Sequence, residues 1–497
     1  MTQQYPDFRS ERRAGVLLHI TSLPGTGNTG DLGSEAFHFI NFLADCGMTW
    51  WQMLPIGPPQ GGLSPYQTSS AHAGNPQLIS LETLVNSGWL NQDALIDSLD
   101  HTAKKALLQQ AYRGFNIKAT IAERTEFNIF CANHAYWLED YVLFRAISEQ
   151  RQKSWWQWPK GLRTREKRAL TQARDKLLDA LNYIRWEQFI FFQQWTALHH
   201  HAATVGVRLF GDMPIFVAYD SAEVWARPQD FDLNPDGSLR VVAGVPPDYF
   251  SATGQRWGNP LYHWEQLEKS QFRFWIDRIR TQLKLFDLIR IDHFRGFEAY
   301  WEIPATEEYA IQGEWVKAGG DALFAALHRE FGDLPLIAED LGVITAEVDE
   351  LRRKYQLPGM KVLQFAFDGS NDNIHLPSYH TQDSVVYTGT HDNDTTCGWY
   401  ESLTPESRHY VYEYLGNPNE AMPWVFIRTA FASVANLAII PLQDLLGLDG
   451  QHRMNLPGTS DGNWQWRFSW SQVDAELPAR LRYLIKLYGR AAQDHTA

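Results

Sequence analysis

The sequence predicts an α/β protein, a (β/α)8 or TIM barrel with a largely helical insertion and further loop insertions around its C-terminal mouth. Two observations favour this fold. Eight apolar, strand-like segments alternate with helical segments along the chain, and three of these strands end in an acidic residue and a turn. In such a barrel catalytic groups come from the C-terminal ends of several strands, so the acids are expected to meet at one mouth.

The composition is that of an ordinary globular protein of 497 residues, 44% hydrophobic and 21% charged. A net charge of −14 argues against nucleic acid as a partner. No apolar run is long enough to span a bilayer, and the polar residues 1–13 lack a signal-peptide core, so we expect no membrane contact. Three unpatterned cysteines, Cys46, Cys131 and Cys397, indicate free thiols in a reducing compartment. We therefore expect a cytoplasmic protein, with a cleaved organelle transit peptide as the alternative.

The barrel is predicted to start in residues 1–80. Strand-like segments at 15–20 and 49–55 flank a helix at about 34–46, which makes a β-α-β unit. A loop rich in glycine, proline and serine follows at 57–76 and contains Ser64 and Tyr66. Long loops without secondary structure of their own are usually functional.

Residues 81–204 are predicted to form the helical insertion. They are charged and poor in glycine, and apolar residues recur with helical periodicity at 103–116, 132–150 and 162–197. The tryptophans at 155–158 are interpreted as packing residues. The three consecutive histidines at 199–201 do not share a helix face, so they predict no metal site.

Residues 205–497 are predicted to complete the barrel, with a loop-rich insertion at about 217–264. The six remaining strands are expected at 207–216, in the stretches 288–296, 336–342 and 385–394, and at 361–367 and 436–443. Side chains alternate along a strand, so Arg290 and Asp292 fall on one face. A guanidinium beside a carboxylate favours its charged form and lowers its pKa, as a nucleophilic carboxylate requires. A purely structural ion pair is the alternative.

Asp292, Glu339 and Asp392 suit cleavage of a glycosidic bond with retention of configuration. One carboxylate attacks the anomeric carbon, and a second, about 5–5.5 Å away, protonates the leaving oxygen and then deprotonates the acceptor. That acid needs a raised pKa, which neighbouring negative charge would supply. The third carboxylate can bind sugar hydroxyls, a role that Asp212 also fits unless it only caps a turn. The 20 Trp, 20 Tyr and 27 Phe include loop aromatics that offer flat platforms for sugars.

The strand endings at Asp212, 290–293, Glu339 and 391–392 resemble those of the α-amylase clan. The sequence motifs around these strand endings resemble those of a narrower family, the amylomaltases or 4-α-glucanotransferases, called disproportionating enzymes in plants. The resemblance covers nearly the whole chain and is carried by SPYQ at 64–67, GDMPIFV at 211–217, GVPPDYF at 244–250, DHFRG at 292–296, AEDLG at 338–342 and GTHDN at 389–393.

The resemblance implies that Asp292 is the nucleophile, Glu339 the acid/base and Asp392 the transition-state stabiliser. It implies no metal and no organic cofactor. The expected partners are α-1,4-glucans and maltooligosaccharides, with glucose as an acceptor. The expected substrate-binding residues are Ser64, Tyr66, Asp212, Tyr249, Phe250, Trp257, Arg290, His391 and Asn463.

Two rival functions remain at this point. An α-amylase-like hydrolase would use the same acids and the same glycosyl-enzyme, with water as the acceptor. The loops carrying Tyr66, Tyr249 and Phe250 favour the transferase, because aromatic rings there would hold an acceptor and exclude water. Tyr249 and Phe250 have a structural alternative, which is to plug the insertion onto the barrel. A non-catalytic glucan-binding protein is disfavoured by the intact set of acids.

Overall fold

The computed structural model describes residues 10–25, 27–95, 100–247, 251–459 and 461–492. Twelve β-strands occur within these residues. They are β1 (Arg13–Leu17), β2 (Trp50–Gln52), β3 (Arg208–Pro214), β4 (Val241–Val245), β5 (Gln255–Arg256), β6 (Leu288–Asp292), β7 (Ala299–Pro304), β8 (Glu314–Lys317), β9 (Leu336–Ala338), β10 (Gly359–Val362), β11 (Ser384–Tyr387) and β12 (Leu437–Pro441).

Seventeen α-helices are found in the same parts of the chain. They are α1 (Ser34–Asp45), α2 (Leu81–Asn86), α3 (His101–Lys118), α4 (Ile121–Arg151), α5 (Lys160–Arg163), α6 (Lys167–Lys176), α7 (Leu178–Thr204), α8 (Ala222–Ala226), α9 (Trp264–Lys269), α10 (Arg273–Leu285), α11 (Gly320–Phe331), α12 (Ala346–Lys354), α13 (Thr396–Ser402), α14 (Pro405–Tyr414), α15 (Trp424–Ala432), α16 (Leu442–Leu445) and α17 (Leu477–Leu487). None of these helices combines the length and the apolarity needed to cross a bilayer.

Eight parallel strands form the predicted barrel. Their order is β10-β11-β12-β1-β2-β3-β6-β9, and every pairing in it is parallel. The two edges meet where the Ala338 N–H donates to the Pro358 carbonyl at 2.9 Å, which joins β9 to the start of β10. The strands are short and apolar, and their inward side chains fill the barrel with a packed core that includes Phe210, Leu288 and Ile337.

The helical region packs onto this barrel through its last helix. The Trp195 indole on α7 donates to the Leu285 carbonyl at 3.0 Å, and Gln188 on the same helix bonds the backbone of Gly74. The periodic segment predicted at 162–197 is divided among α5, α6 and α7. The assignment of 81–204 to a separate insertion stays a prediction.

Two strand expectations need correction. The sixth barrel strand is β10, at Gly359–Val362, and not 361–367, because the chain turns into a 3-10 helix at Leu363–Phe365 although the sequence remains apolar. A second, antiparallel sheet has the order β5-β4-β7-β8. It joins the predicted loop insertion to residues 299–317, to which the sequence analysis assigned no strands.

Candidate active site

The predicted acids lie at the carboxyl ends of the barrel strands. Asp292 is the last residue of β6, Glu339 directly follows β9, and Asp392 lies in the loop after β11. The register of β3 and β6 places Asp212 opposite Arg290. Because parallel strands present their carboxyl ends at one mouth, residues far apart in sequence share this site.

Arg290 is the centre of the charge arrangement. It is only 4% exposed, and its Nη2 lies 2.9 Å from Asp292 Oδ1, which is the contact that strand alternation predicts. Its Nη1 donates to both carboxylate oxygens of Asp212, at 2.9 and 2.8 Å. Although burial opposes the charge, these carboxylates hold the pKa of Arg290 well above its usual range. The guanidinium is therefore a fixed positive charge at the floor of the mouth.

The electrostatics of Asp292 differ from expectation. Its pKa is raised and not lowered, because desolvation by burial outweighs the attraction of Arg290, and the negative charges of Asp212 and Asp392 add to the rise. The side chain nevertheless keeps 30% of its surface exposed. The contact with Arg290 thus limits a rise that burial would otherwise make larger.

Glu339 is held beside Asp292 by the backbone. Its Oε2 accepts from the N–H of His293, the residue after Asp292, at 2.6 Å, and its Oε1 accepts from the Leu341 N–H at 3.1 Å. His293 adopts a left-handed conformation, with φ of 53°, at the strand end. Burial raises the pKa of Glu339 to about 8, Arg290 opposes the rise and the charge of Asp292 adds to it. Glu339 therefore carries a proton at neutral pH.

A hydrogen-bond chain connects Arg290 to His391, next to Asp392. The Tyr66 hydroxyl donates to Asp212 Oδ2 at 2.8 Å and lies 2.9 Å from His391 Nε2, with the two rings stacked at 5.2 Å. The hydroxyl has one proton and gives it to Asp212, so the hydrogen of the second bond belongs to His391 Nε2. The same nitrogen lies 3.4 Å from Asp392 Oδ2. The chain thus fixes the tautomer of His391 as well as its orientation.

A segment near the C-terminus completes the site, and Asn463 is the one residue of it that the sequence had indicated. Asn455 Nδ2 donates to Asp392 Oδ1 at 2.6 Å, and Arg453 Nη2 donates to the Asp392 carbonyl at 3.0 Å. The ring centroid of Trp464, whose backbone φ is 65°, lies 6.0 Å from that of Tyr66. These contacts join positions more than 60 residues apart, and no sequence spacing signals them.

The other predicted binding residues have varied surroundings. Ser64 Oγ accepts from the Tyr66 N–H at 3.3 Å and so shapes the loop that presents Tyr66. The Trp257 ring stands edge-on to His293, 4.7 Å between centroids, next to the acid pair. Asn463 bonds Leu456 and Thr459 within its own loop. Its contact with sugar stays a prediction. Tyr249 and Phe250 lie outside the described residues.

No group of three or more His, Cys, Asp or Glu side chains in the described parts of the chain is arranged to hold a metal ion. The histidines at the end of α7 diverge: His199 Nε2 lies 3.0 Å from Asp287, and His201 Nε2 lies 2.8 Å from Asn41. The mouth itself presents the carboxyl groups of Asp292, Glu339 and Asp392. A carboxylate held by a cation beside a protonated acid is the pair that retaining glycosyl chemistry uses.

Comparison with known proteins gives one consistent result. The family model described as 4-alpha-glucanotransferase matches residues 18–473. The 4-alpha-glucanotransferase of Thermus thermophilus is 49% identical over 491 residues, covering 96% of this chain and 98% of that protein. Its counterpart from Synechocystis is 47% identical, covering 97% and 98%. The structure of amylomaltase from Streptococcus agalactiae in complex with acarbose superposes with a TM-score of 0.94 at 38% identity, covering 97% of this chain and all of that one.

Proposed function

The chain belongs to the 4-alpha-glucanotransferase family, and we propose that it carries out the family's reaction through a covalent glycosyl-enzyme on Asp292. The enzyme cleaves an α-1,4-glucan and passes the donor segment to the 4-hydroxyl of an acceptor sugar. The observation that supports these roles best is the 2.6 Å bond from the His293 N–H to Glu339, which sets a protonated acid beside the carboxylate paired with Arg290.

In the first step, Asp292 attacks the anomeric carbon of the donor sugar. The bond from that carbon to the glycosidic oxygen breaks, an ester to Asp292 forms, and Glu339 transfers its proton to the leaving oxygen. Arg290, 2.9 Å from Asp292, stabilises the attacking carboxylate and fixes its direction. Glu339 is suited to the acid role because its pKa of about 8 keeps it protonated at neutral pH.

In the second step, Glu339 acts as a base. Ester formation removes the negative charge of Asp292, which is one of the causes that raise the pKa of Glu339, so the pKa of Glu339 falls once the intermediate exists. The carboxylate then takes the proton of the acceptor's 4-hydroxyl, whose oxygen attacks the anomeric carbon. The ester breaks and Asp292 leaves as a carboxylate. One group thus acts as acid and base in turn because its neighbour gains and loses charge.

The remaining mouth residues bind the donor sugar in this proposal. The Tyr66 ring stacks on the sugar at the cleavage point, while Asp212, Arg290 and His391 hold its hydroxyls. Asp392, with 47% of its side chain exposed, accepts hydrogen bonds from sugar hydroxyls and stabilises the distorted ring of the transition state. Ser64 supports Tyr66, and further subsites are assigned to Tyr249, Phe250, Trp257 and Asn463. Glucose is the simplest acceptor.

Incubation with maltotriose tests the reaction type. Transfer gives glucose and a ladder of longer oligosaccharides, while the total of reducing ends stays nearly constant because each cleavage is balanced by a new bond. A steady rise in reducing ends without longer products would identify a hydrolase. The Asp292→Asn variant is the matched control and should give neither pattern.

We also infer a cytoplasmic location. The support is that Cys46, Cys131 and Cys397 are all free thiols, which suits a reducing compartment. Fractionation of the source cells tests this, and recovery of the protein outside the cytoplasm would contradict it.

A further inference from the structure

Residues 453–459 and 461–464, here called the C-terminal bracket, belong to a segment that reaches Asp392 from outside the barrel strands. Arg453 spans the contact: its Nη2 donates to the Asp392 carbonyl at 3.0 Å and its Nε to the Asn455 carbonyl at 2.9 Å. One guanidinium therefore fixes the distance between the bracket and the loop after β11. This spacing places the Asn455 side chain against the Asp392 carboxylate.

The contact between Asn455 and Asp392 is asymmetric. Asn455 is 8% exposed and donates through Nδ2 to Oδ1 of Asp392 at 2.6 Å. The other oxygen, Oδ2, faces His391 Nε2 at 3.4 Å. An amide N–H fixes a carboxylate oxygen without adding a positive charge, whereas a lysine or arginine at this position would neutralise it. Asp392 is thus fixed in direction by a neutral donor.

We propose that Asn455 is a positioning residue for glycosyl transfer, which holds one oxygen of Asp392 so that the other is presented to the donor sugar. This role rests on the proposed function of Asp392 as the residue that stabilises the transition state. A small displacement of such a group costs rate, because its contacts are strongest in the transition state.

The bracket has supports that do not involve the Asn455 amide. Asn463 Oδ1 accepts from the Leu456 N–H at 2.8 Å, and Asn463 Nδ2 donates to the Thr459 carbonyl at 3.0 Å. Trp464 N donates to the Met454 carbonyl at 2.8 Å. Loss of the Asn455 amide should therefore leave the bracket folded and release only the Asp392 side chain.

The first test is Asn455→Leu, which keeps the approximate volume and removes the donor. We expect kcat for maltotriose disproportionation to fall about 10–100-fold, with KM changed less than about 2-fold. The control is Asn234→Leu, because Asn234 also donates through Nδ2, to Ser238 and Leu239, within its own turn and to no residue assigned to the site. It should lower the melting temperature at most and leave kcat unchanged. An Asn455→Leu enzyme with parental kcat would overturn the proposal.

The second test is Asn455→Asp, which keeps size and shape and gives a readout that loss of stability cannot mimic. At low pH the new carboxyl shares a proton with Asp392 and donates to it as the amide does; at higher pH both are charged and repel each other. The alkaline limb of kcat should therefore move at least about 1 pH unit lower than in the parent, with partial recovery of activity below it. The titratable and charged groups that surround Asp392 are His391, Arg453, Asp394, Asp292 and Tyr66.

The outcomes separate this role from the reaction itself. A parent enzyme that forms no oligosaccharide ladder overturns the proposed function and this role with it. A parent that forms the ladder, together with an Asn455→Asp enzyme whose pH profile has the parental shape, overturns the positioning role alone. Asn455→Asp also decides the matter if Asn455→Leu does not fold.

Discussion

The two ends of the barrel each bury an arginine, and they use it differently. At the mouth, Arg290 is bonded to carboxylates, Asp212 and Asp292, which hold its pKa well above the usual range. At the opposite end, Arg490 is 0% exposed, and within the described parts of the chain it donates only to carbonyl oxygens; burial and the nearby Arg12 lower its pKa to about 9. The carbonyls belong to Arg13, Ala430, Phe431, Ser433, Ala435 and Asn436.

The difference shows how one fold separates chemistry from stability. Arg490 lies three residues beyond the end of α17 and bonds to neutral acceptors at the start of β1 and the end of α15, so its bonds support the fold where the first and last barrel strands meet. Arg290 instead concentrates charge: it brings two carboxylates close together and makes both depend on one cation. Activity is expected to reside at the carboxyl end of such a barrel and structural support at the other.

The largest effect is expected at the acids themselves. Asp292→Asn and Glu339→Gln should each lower the rate of maltotriose disproportionation at least about 10⁴-fold, because they remove the nucleophile and the acid/base. Folding should be retained, as judged by circular dichroism and thermal unfolding. If both variants still bind glucan, the mouth acids act in catalysis and are not needed for folding. Substantial activity in either variant would contradict its assigned catalytic role.

The next effect concerns Arg290. Replacing it with methionine leaves Asp212 and Asp292 without their cation, so we expect kcat to fall about 10²–10³-fold, as for the loss of a preorganised charge partner. Steady-state kinetics on the soluble variant measures this. If Arg290→Met kept its rate and lost only stability, Arg290 would belong with Arg490 as a structural residue.

The matched substitution at the other end should have the opposite outcome. Arg490→Met leaves its carbonyl acceptors without donors, and we expect a loss of about 3 kcal/mol or more in the free energy of unfolding. Activity per folded molecule should be unchanged, because none of the hydrogen-bond partners of Arg490 in the described structure belongs to the mouth. Denaturant titration with active-site normalisation tests this, and a reduced kcat in fully folded protein would show that the two ends are coupled.

A further effect at the mouth is a pH dependence of stability. Folding raises the pKa of Glu339 from 4.5 to about 8, so the folded state takes up a proton between these values and the parent loses stability as the pH rises through that window. Glu339→Gln has no proton to take up. The melting temperature of the variant minus that of the parent should therefore increase from pH 4.5 to 8, and a constant difference would contradict the raised pKa.

The sequence predicted correctly those features that depend on the residue pattern within a single strand. Alternation along β6 correctly placed Arg290 beside Asp292, and repeated acid-plus-turn endings correctly indicated the barrel and its mouth. The predicted C-terminal end of β10 was wrong. Apolar residues continue beyond Val362, but Leu363 is buried in a 3-10 helix and not in a strand.

The features that the sequence could not predict depend on contacts between distant residues and on burial. Asn455 reaches Asp392 across 63 positions through a loop with no periodic pattern. The antiparallel pairing of β4 with β7 is set by tertiary contacts alone. The pKa of Asp292 was misjudged because its cation was visible in the sequence while the desolvation that outweighs it was not.

Asp292 is expected to carry a glycosyl group during transfer. A fluorinated α-glucosyl or maltosyl fluoride, which forms the glycosyl-enzyme but slows its breakdown, should trap the intermediate in the Glu339→Gln variant, where the base for the second step is absent. Peptide mass spectrometry should then find one added glycosyl group, located on Asp292. Label on Asp212 or Asp392, or turnover of the reagent by the parent without any covalent adduct in the variant, would contradict a glycosyl-enzyme on Asp292.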